Sequence, residues 1–285
     1  MLIVDKPAGL SSFQALSPVK RYFNTKKIGH TGTLDPFATG VMVVLVGKAT
    51  RLAPWLSGMP KKYIAEIEFG VETDTLDPEG TVTETLPVPP IDSILSQTST
   101  FLGKITQVPP RYSAINLQGE RAYKKARRGE EIDLPSRMVE ITSLELVPVS
   151  GTRVTMTVEC SSGTYIRSLA RDIAHSAGTV AHLTVLRRVS VGPFSETSAI
   201  PVDRPDQFAL ISPEEIILRL PGMTVSPIDE SFARYVLNGK PLSDAMIGIE
   251  TDGTVALLED GSKIAAIVER RDGSWKYRFV WGTDR

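Results

Sequence analysis

One stretch constrains the fold of this chain more than any other: a loop rich in Gly, Thr and Pro that runs directly into six consecutive apolar residues. The loop covers residues 27–40, and the apolar run covers residues 41–46. Glycine and proline interrupt regular structure, whereas a short uninterrupted apolar run is typical of a buried strand. The sequence therefore predicts a loop at the edge of a core strand, and loops held by a rigid sheet carry many catalytic side chains.

Two side chains of this loop, Asp35 and His30, could carry chemistry, and each also has a structural interpretation. Asp followed by Pro is a good helix start, with Asp at the N-cap and Pro at the first helical position, and Pro36 follows Asp35. His30 could be a hydrogen-bonded structural residue. The segment does not match a phosphate-binding P-loop, because Ala49 follows Lys48 where that motif requires Ser or Thr.

The composition indicates a globular protein of about two domains. The chain has 285 residues, of which 41% are hydrophobic and 23% charged. A single cysteine, Cys160, and three histidines allow no internal disulfide and show no metal motif. No apolar run approaches the ~20 residues of a membrane span, and the start of the sequence does not resemble a signal peptide. These features predict a protein of the reducing cytoplasm.

Local patterns predict a mixture of helices and strands. Residues 2–5, 61–69, 139–149 and 152–160 are expected to form strands, and a helix interrupted by Pro18 is expected after Ser12. Helical spacing begins at Ile166 and ends near Gly178, so this region is a predicted strand-to-helix junction. If the chain is extended there, Tyr165 and Arg167 point to one face. Residues 228–285 contain Asp-Gly turns and predict a small β-rich module.

The net charge of −1 counts mildly against nucleic acid as a ligand unless positive charge is clustered. One cluster, around Lys20 and Arg21, includes Lys26 and Lys27 and contains no acidic residue. Residues 120–137 contain six basic and four acidic residues, with Tyr123 interleaved. Both clusters could be solvated helix surfaces, or they could contact phosphate groups.

The loop around Asp35 resembles the signature of the TruB family of tRNA pseudouridine synthases, Gly-His-x-Gly-Thr-Leu-Asp-Pro-x-Ala-x-Gly-Val. So many fixed positions in a short run make chance agreement implausible. The matching residues are Gly29, His30, Gly32, Thr33, Leu34, Asp35, Pro36, Ala38, Gly40 and Val41. Other family motifs are matched, in order, by the turn after Lys6, by Lys61-Lys62-Tyr63, by residues 163–167 and by Leu186-Arg187-Arg188.

The resemblance implies an α+β catalytic domain over residues 1–220, with a central mixed, largely antiparallel sheet and an RNA-gripping insertion at about 108–137. A small β-rich, PUA-like domain would follow over residues 228–285. By the same resemblance, the catalytic residues would be Asp35 as nucleophile, Arg167 as the cation that keeps it ionised, and Tyr63 as a stacking platform for the target base. The substrate-binding residues would be Lys6, His30, Tyr63, Tyr165 and Leu186. The RNA backbone would be contacted by Lys20, Arg21, Arg121, Lys124 and Arg128.

The implied activity is isomerisation of uridine 55 in the T arm of tRNA to pseudouridine, with base flipping and with no metal or cofactor, by a monomer. The chain departs from many relatives at Asn116, where they carry Lys, so one phosphate contact would be missing or moved. Two alternatives stay open. One is a non-catalytic RNA-binding protein or tRNA chaperone that uses the same cleft. The other is a phosphotransferase or hydrolase that uses Asp35 and requires Mg²⁺.

Overall fold

The computed structural model describes residues 1–113, 115–117, 119–130 and 132–282, and every side chain in them except those of Leu117, Arg121, Tyr123, Lys124 and Arg127. The strands are β1 (Leu2–Lys6), β2 (Ile28–His30), β3 (Thr39–Val46), β4 (Lys61–Phe69), β5 (Val71–Thr73), β6 (Val82–Thr85), β7 (Gly103–Gln107), β8 (Asn116–Leu117), β9 (Glu120–Arg121), β10 (Arg137–Pro148), β11 (Arg153–Cys160), β12 (Ala181–Val191), β13 (Phe194–Ser195), β14 (Ile200–Pro201), β15 (Met223–Ile228), β16 (Gly253–Glu259), β17 (Lys263–Arg271) and β18 (Ser274–Val280). The α-helices are α1 (Ser12–Tyr22), α2 (Ala53–Ser57), α3 (Ile91–Leu95), α4 (Ala122–Arg127), α5 (Ile166–Ser176), α6 (Pro213–Leu218), α7 (Glu230–Leu237) and α8 (Asp244–Ile247).

A ten-stranded sheet dominates the fold. Its strand order is β14-β1-β3-β12-β4-β11-β10-β7, with β2 beside β3 and β13 beside β12. Two pairings, β1 with β14 and β3 with β12, are parallel, and the others are antiparallel. The prediction of an α+β fold with a mixed, largely antiparallel sheet is therefore confirmed.

Burial explains why β3 and β4 have such different sequences. The apolar run of β3 lies in the middle of the sheet, and residues 41–45 are fully buried. Strand β4 alternates, with Tyr63, Ala65, Ile67 and Phe69 buried in the core against α5. Helix α5 covers the face of the sheet that carries these β4 side chains. Strands β3 and β4 and helix α5 therefore hold the two loops that precede β3 and α5 in fixed positions.

Two local expectations from the sequence change in the structure. Asp35 does not cap a helix: the residues after it form a bend and then β3, and the Ala38 N–H donates to the Asp35 carbonyl oxygen at 3.1 Å. Pro18 does not interrupt α1, which continues to Tyr22. A proline removes only one helical hydrogen bond at its own nitrogen, and the buried side chains on both sides of it, including Leu16 and Val19, hold the helix in place.

A four-stranded sheet follows in the order β15-β16-β17-β18. One of its faces packs on the large sheet, because Ala256, Leu258 and Ile264 share a buried cluster with Ile3 and Val43. The prediction of a small β-rich C-terminal unit is confirmed, whereas its PUA-like character and the domain limits 1–220 and 228–285 stay predictions. Among the described residues, no helix has the length and apolar character needed to span a membrane.

Gly40 is required where β3 meets β12. Its φ is +105°, and a Cβ atom built on it would lie 2.2 Å from the carbonyl oxygen of Arg188. We expect Gly40→Ala to lower the free energy of unfolding by about 2–4 kcal/mol, because both backbone strain and a backbone clash oppose it. Gly29→Ala is the matched control, since no described atom beyond its chain neighbours lies within 4 Å of the added Cβ. Urea denaturation of both variants tests this, and equal stability would contradict it.

Candidate active site

A cavity of about 550 Å³ opens at the point where the loop before β3, the strands β4 and β12, and the start of α5 meet. It brings together five of the predicted site residues, which are far apart in sequence: Asp35, Tyr63, Tyr165, Arg167 and Leu186. The cavity size and its few convergent polar groups are typical of a small-molecule or nucleotide site.

Arg167 organises the polar side of the cavity. Its Nη2 donates to Oδ1 of Asp35 at 2.9 Å, and its Nη1 donates to Oδ2 of Asp77 at 3.2 Å. The same guanidinium donates to the carbonyl oxygens of Thr75 and Tyr112 at 2.7 and 2.9 Å. The Arg167 side chain is only 4% exposed, whereas that of Asp35 is 31% exposed. The buried cation therefore holds Asp35 at the cavity wall while leaving part of its carboxylate open to a ligand.

The start of α5 explains how Arg167 reaches this position. Tyr165 is the N-cap and is extended, with φ −98° and ψ 111°, and the helix begins at Ile166. The Tyr165 N–H donates to Oε1 of the fully buried Gln107 at 2.8 Å, and Nε2 of Gln107 donates back to the Tyr165 carbonyl oxygen at 3.1 Å. The predicted helix start at Ile166 is therefore observed, and the condition under which Tyr165 and Arg167 would share one face of an extended segment is not met. Both still line the cavity, because the helix begins between them.

The loop that carries Asp35 is fixed from α1. Ser12 Oγ accepts a hydrogen bond from the Leu34 N–H at 2.8 Å and donates to the Leu34 carbonyl oxygen at 3.0 Å. Burial of Asp35 raises its pKa, while the Arg167 guanidinium opposes that rise. The carboxylate is thus held in a rigid loop, partly desolvated, beside one dominant cation. Such an arrangement suits a nucleophile that must be anionic in a mostly apolar pocket.

Lys6, which is predicted to bind the substrate, is buried next to the loop of Asp35. Its side chain is fully buried, and it is not among the described residues that line the cavity. Its Nζ donates to the carbonyl oxygens of Pro7, Leu10 and Pro36 at 2.8, 2.6 and 3.2 Å. Burial lowers the pKa of Lys6 to about 8, and the nearby Asp35 charge acts in the opposite direction. These contacts shape the turn beside Asp35, and a contact of Lys6 with the substrate stays a prediction.

The apolar side of the cavity is formed by β4 and β12. Tyr63 and Leu186 are both buried and belong to the main core cluster as well as to the cavity wall. Burial raises the pKa of Tyr63, so its ring is neutral and free to act as a flat surface for stacking. Arg188 lies opposite Tyr63 in the strand pairing. It donates from Nε to the Val41 carbonyl oxygen at 2.7 Å and from Nη2 to the Gly32 carbonyl oxygen at 3.1 Å.

His30 and Asn116 differ in their position relative to the cavity. His30 is in β2, where its Nδ1 accepts from the Gly32 N–H at 3.4 Å, and it is not among the described residues of the cavity wall. Burial lowers the pKa of His30, and the Arg188 charge lowers it further, so the imidazole is neutral. Asn116 does line the cavity. The departure from the family pattern therefore falls at the site itself.

Three of the predicted RNA-backbone residues have described side chains, and none of the three is among the described residues of the cavity wall. Lys20 and Arg21 occupy the last turn of α1. Arg128 is paired with Glu120 at 2.7 Å and with Glu130 at 2.6 Å, so two carboxylates already balance its charge. Two further predicted contacts have side chains outside the described part of the structure: Arg121 and Lys124.

Three buried residues of the site were not predicted from the sequence: Asp77, Gln107 and Arg188. One signal could have revealed Asp77. The tetrapeptide Thr-Leu-Asp-Pro occurs twice, at residues 33–36 and 75–78, and the aspartates of both copies bind Arg167. Arg188 lies in the matched segment Leu186-Arg187-Arg188, but its contacts, like those of Gln107, are with backbone groups that only the folded chain brings near it.

The arrangement matches a known family over most of the chain. Residues 20–166 match the family model described as TruB family pseudouridylate synthase, N-terminal domain. The chain belongs to the TruB family of pseudouridine synthases. It is 40% identical to tRNA pseudouridine synthase B of Novosphingobium aromaticivorans, over 96% of this chain and 94% of that protein. It is also 40% identical to the enzyme of the same name from Borreliella burgdorferi, over 98% of this chain and 97% of that one.

A solved structure agrees with the fold. A chain from the crystal structure of a Cbf5–Nop10–Gar1 complex superposes with a TM-score of 0.73 and 25% sequence identity. The match covers 98% of this chain and 84% of that chain, so it includes both the ten-stranded sheet and the C-terminal sheet. The protein is thus a TruB-family isomerase in which Asp35 and Arg167 line the cavity described above, while the buried Asp77 binds Arg167 from behind the described wall.

Asp77 is expected to act by holding Arg167. Its Oδ1 accepts hydrogen bonds from the Thr75 hydroxyl at 2.6 Å and from the Glu79 N–H at 3.1 Å, and its Oδ2 accepts from Arg167. In Asp77→Asn the negative charge is removed and one of these oxygens becomes an amide nitrogen that cannot accept, so Arg167 loses its ion pair with residue 77 or the Thr75–Glu79 contacts that hold residue 77 are broken. We expect kcat/KM to fall roughly 10- to 100-fold, the range for a small misplacement of a reacting group.

The control for Asp77→Asn is Asp172→Asn, which removes a carboxylate of α5 that is paired with Arg171 and is not among the described residues of the cavity. Steady-state kinetics of both variants, with thermal unfolding of each, separate positioning from folding. An Asp77→Asn enzyme as active as the control would contradict the anchoring role.

Proposed function

We propose that the protein converts uridine 55 in the T arm of tRNA to pseudouridine, with Asp35 as the nucleophile. One observation carries the proposal: a carboxylate held by a buried arginine lies in a cavity next to a neutral tyrosine. The relatives named above are tRNA pseudouridine synthases that match nearly the whole chain. We further propose that it acts as a monomer in the cytoplasm, with residues 1–220 as the catalytic domain and residues 228–285 as a PUA-like domain.

The reaction is an isomerisation, so substrate and product contain the same atoms at the same oxidation level and no oxidant or reductant is needed. The bond between C1′ of the ribose and N1 of the uracil breaks, the uracil turns, and a bond forms between C1′ and C5. The proton on C5 is lost, and N1 becomes an N–H. A carboxylate that adds to the substrate and then leaves is sufficient for this sequence. Asp35 can do so by attack at C1′ or at C6, and both routes need it ionised.

The other cavity residues fit the parts of a flipped-out nucleotide. A base inside a folded RNA must leave its stack before Asp35 can reach it. Tyr63 would then stack on the uracil, a contact worth roughly 1–3 kcal/mol in other RNA-binding proteins. Tyr165 would pack against the sugar and base, and Leu186 would exclude water that could divert the reaction to hydrolysis. His30, which is neutral and outside the cavity wall, would stabilise the flipped RNA.

The RNA itself would be held from outside the cavity. Lys20 and Arg21, at the end of α1, and Arg128, in the insertion, would contact phosphate groups, together with Arg121 and Lys124. Arg128 must then exchange Glu120 and Glu130 for RNA. Neutralising phosphates with basic side chains releases counterions, so the affinity for tRNA should fall as salt increases.

The rate should depend on pH through Asp35. Burial raises the pKa of this carboxyl above its ordinary value of 3.8. Because only the ionised form is a nucleophile, the single-turnover rate should fall as pH decreases through that raised pKa, so the acid limb lies above pH 3.8. Rapid-quench measurements between about pH 4 and pH 8 test this. A rate that stays constant down to pH 3.8 would contradict it, and intact tRNA binding at each pH is the control.

Release of tritium from tRNA labelled at C5 of uridine tests the proposed function. The C5 hydrogen is lost when C5 becomes the glycosidic carbon, so tritium release follows the reaction, and carbodiimide mapping of the same RNA shows whether the product is pseudouridine. We expect release from a T-arm stem-loop and none from the same RNA with cytidine in place of the target uridine. Tight binding of the stem-loop without release of tritium would overturn the proposal and favour a non-catalytic RNA-binding protein.

A further inference from the structure

Two buried cations in the cavity wall are not used by the mechanism above. Lys61 is 7% exposed and Arg188 is 2% exposed, yet both line the cavity. Neither forms an ion pair with any carboxylate among the residues that the structure describes. Buried charges in proteins are usually paired, because removing an unpaired charge from water is costly.

Backbone carbonyl groups hold both cations in place. The Nζ of Lys61 donates to the carbonyl oxygens of Ser57 and Met59 at 2.7 and 2.6 Å. Arg188 donates to two other carbonyl oxygens, as described above. Carbonyl dipoles orient and partly solvate a cation but leave its net charge uncompensated. Burial, with the Arg188 charge acting in the same direction, lowers the pKa of Lys61 to about 8.

The two cations come together beside Gly32 in the cavity wall. A Cβ atom built on Gly32 would lie 3.3 Å from Nη1 of Arg188, which is a tight contact, and 4.0 Å from Cε of Lys61. The absence of a side chain at this position thus lets both cations approach the same part of the loop. Asp35, the carboxylate of the same loop, is already bound to Arg167, so it does not neutralise them.

We propose that Lys61 and Arg188 form an anion subsite beside Gly32 that binds a backbone phosphate flanking the flipped-out nucleotide. The inference rests on the proposed function, which supplies an RNA substrate. Of the groups that a nucleotide brings into the cavity, the phosphate is the anionic one, whereas uracil and ribose are neutral. Charge-assisted hydrogen bonds from lysine and arginine to phosphate are among the strongest in proteins.

The chain supplies a matched control in Lys62. It neighbours Lys61 in β4, but successive side chains of a strand point to opposite faces. Lys62 is half-exposed and paired with Glu159 at 2.9 Å. Replacing either lysine by glutamine removes one positive charge, and only the change at position 61 removes it from the cavity.

The test combines these variants with RNA in which one phosphate is neutral. T-arm stem-loops carrying a single methylphosphonate, on the 5′ or the 3′ side of the target uridine, are compared with unmodified RNA for Kd and single-turnover rate. For the wild type and for Lys62→Gln, we expect one of the two methylphosphonates to weaken binding roughly 10- to 100-fold. Lys61→Gln should show a similar loss with unmodified RNA and little further loss with that methylphosphonate.

If each methylphosphonate weakens binding by the same factor in Lys61→Gln as in Lys62→Gln, the two losses in affinity are independent. That result would overturn the subsite. If Lys61→Gln does not fold, Gly32→Ala replaces it, because the added Cβ would lie 3.3 Å from Nη1 of Arg188 and would press that cation out of its position. The Kd and the single-turnover rate are measured separately. A wild type that forms no pseudouridine refutes the proposed function, whereas the coupling in Kd still decides whether the subsite exists.

Discussion

Asp35→Asn is expected to abolish pseudouridine formation while leaving the fold and tRNA binding intact. The amide has the shape of the carboxylate but is not an anionic nucleophile, so the single-turnover rate should fall by at least about 10⁴-fold. The fold should survive because Asp77 still faces Arg167 and because Ser12 and Lys6 hold the loop through its backbone. Tritium release measures the rate, and filter binding measures the affinity.

The control for this variant is Asp172→Asn, the same amide substitution at a carboxylate of α5 that is paired with Arg171 and is not among the described residues of the cavity. It should retain activity within a few-fold of the wild type. An Asp35→Asn enzyme with a rate near that of Asp172→Asn would show that this carboxylate is not the nucleophile, whatever the similarity of the loop to the family signature.

Arg167→Met is expected to remove both activity and much of the stability. Without the guanidinium, Asp35 and Asp77 are left without their shared cation, and removing one partner of a buried ion pair typically costs about 3–5 kcal/mol. The side chain of Asp77 is 7% exposed, so solvent cannot replace the cation there. We expect the rate to fall at least about 10²-fold, since a preorganised charge at the reacting group is lost. Urea denaturation and single-turnover kinetics measure the two effects.

A double variant separates the structural effect of Arg167 from its catalytic effect. In Arg167→Met with Asp77→Asn, the buried charge at position 77 is also removed, so part of the lost stability should return. Activity should not return, because Asp35 still lacks its cation. Recovery of both stability and activity in the double variant would mean that Arg167 acts only as a structural group.

Much of the secondary structure could be predicted because it depends on local patterns. The apolar run of β3, the alternation of β4 and the helical spacing after Tyr165 each produced the expected element. The order of the strands could not be predicted in this way. It depends on pairings between distant segments, such as β3 with β12, that no local period encodes.

The residues of the site show the same difference between local patterns, which the sequence reveals, and long-range contacts, which it does not. Asp35 and Arg167 are 132 residues apart, and only the resemblance to a family linked them before the structure did. That route did not reveal the structural role of Lys6: its motif suggested a substrate contact, but its ammonium is bound to carbonyl groups that the fold brings together. The capping interpretation of Asp35 failed for the opposite reason, because a local Asp-Pro preference gave way to a long-range ion pair.

Carbodiimide mapping of pseudouridine in a tRNA transcript tests the central claim most directly. The transcript is incubated with the wild type or with Asp35→Asn, in EDTA and without added cofactor. The account predicts a reverse-transcription stop at uridine 55 with the wild type and none with Asp35→Asn. A stop at uridine 55 with both proteins, or no stop with a wild type that still binds the tRNA, would contradict it.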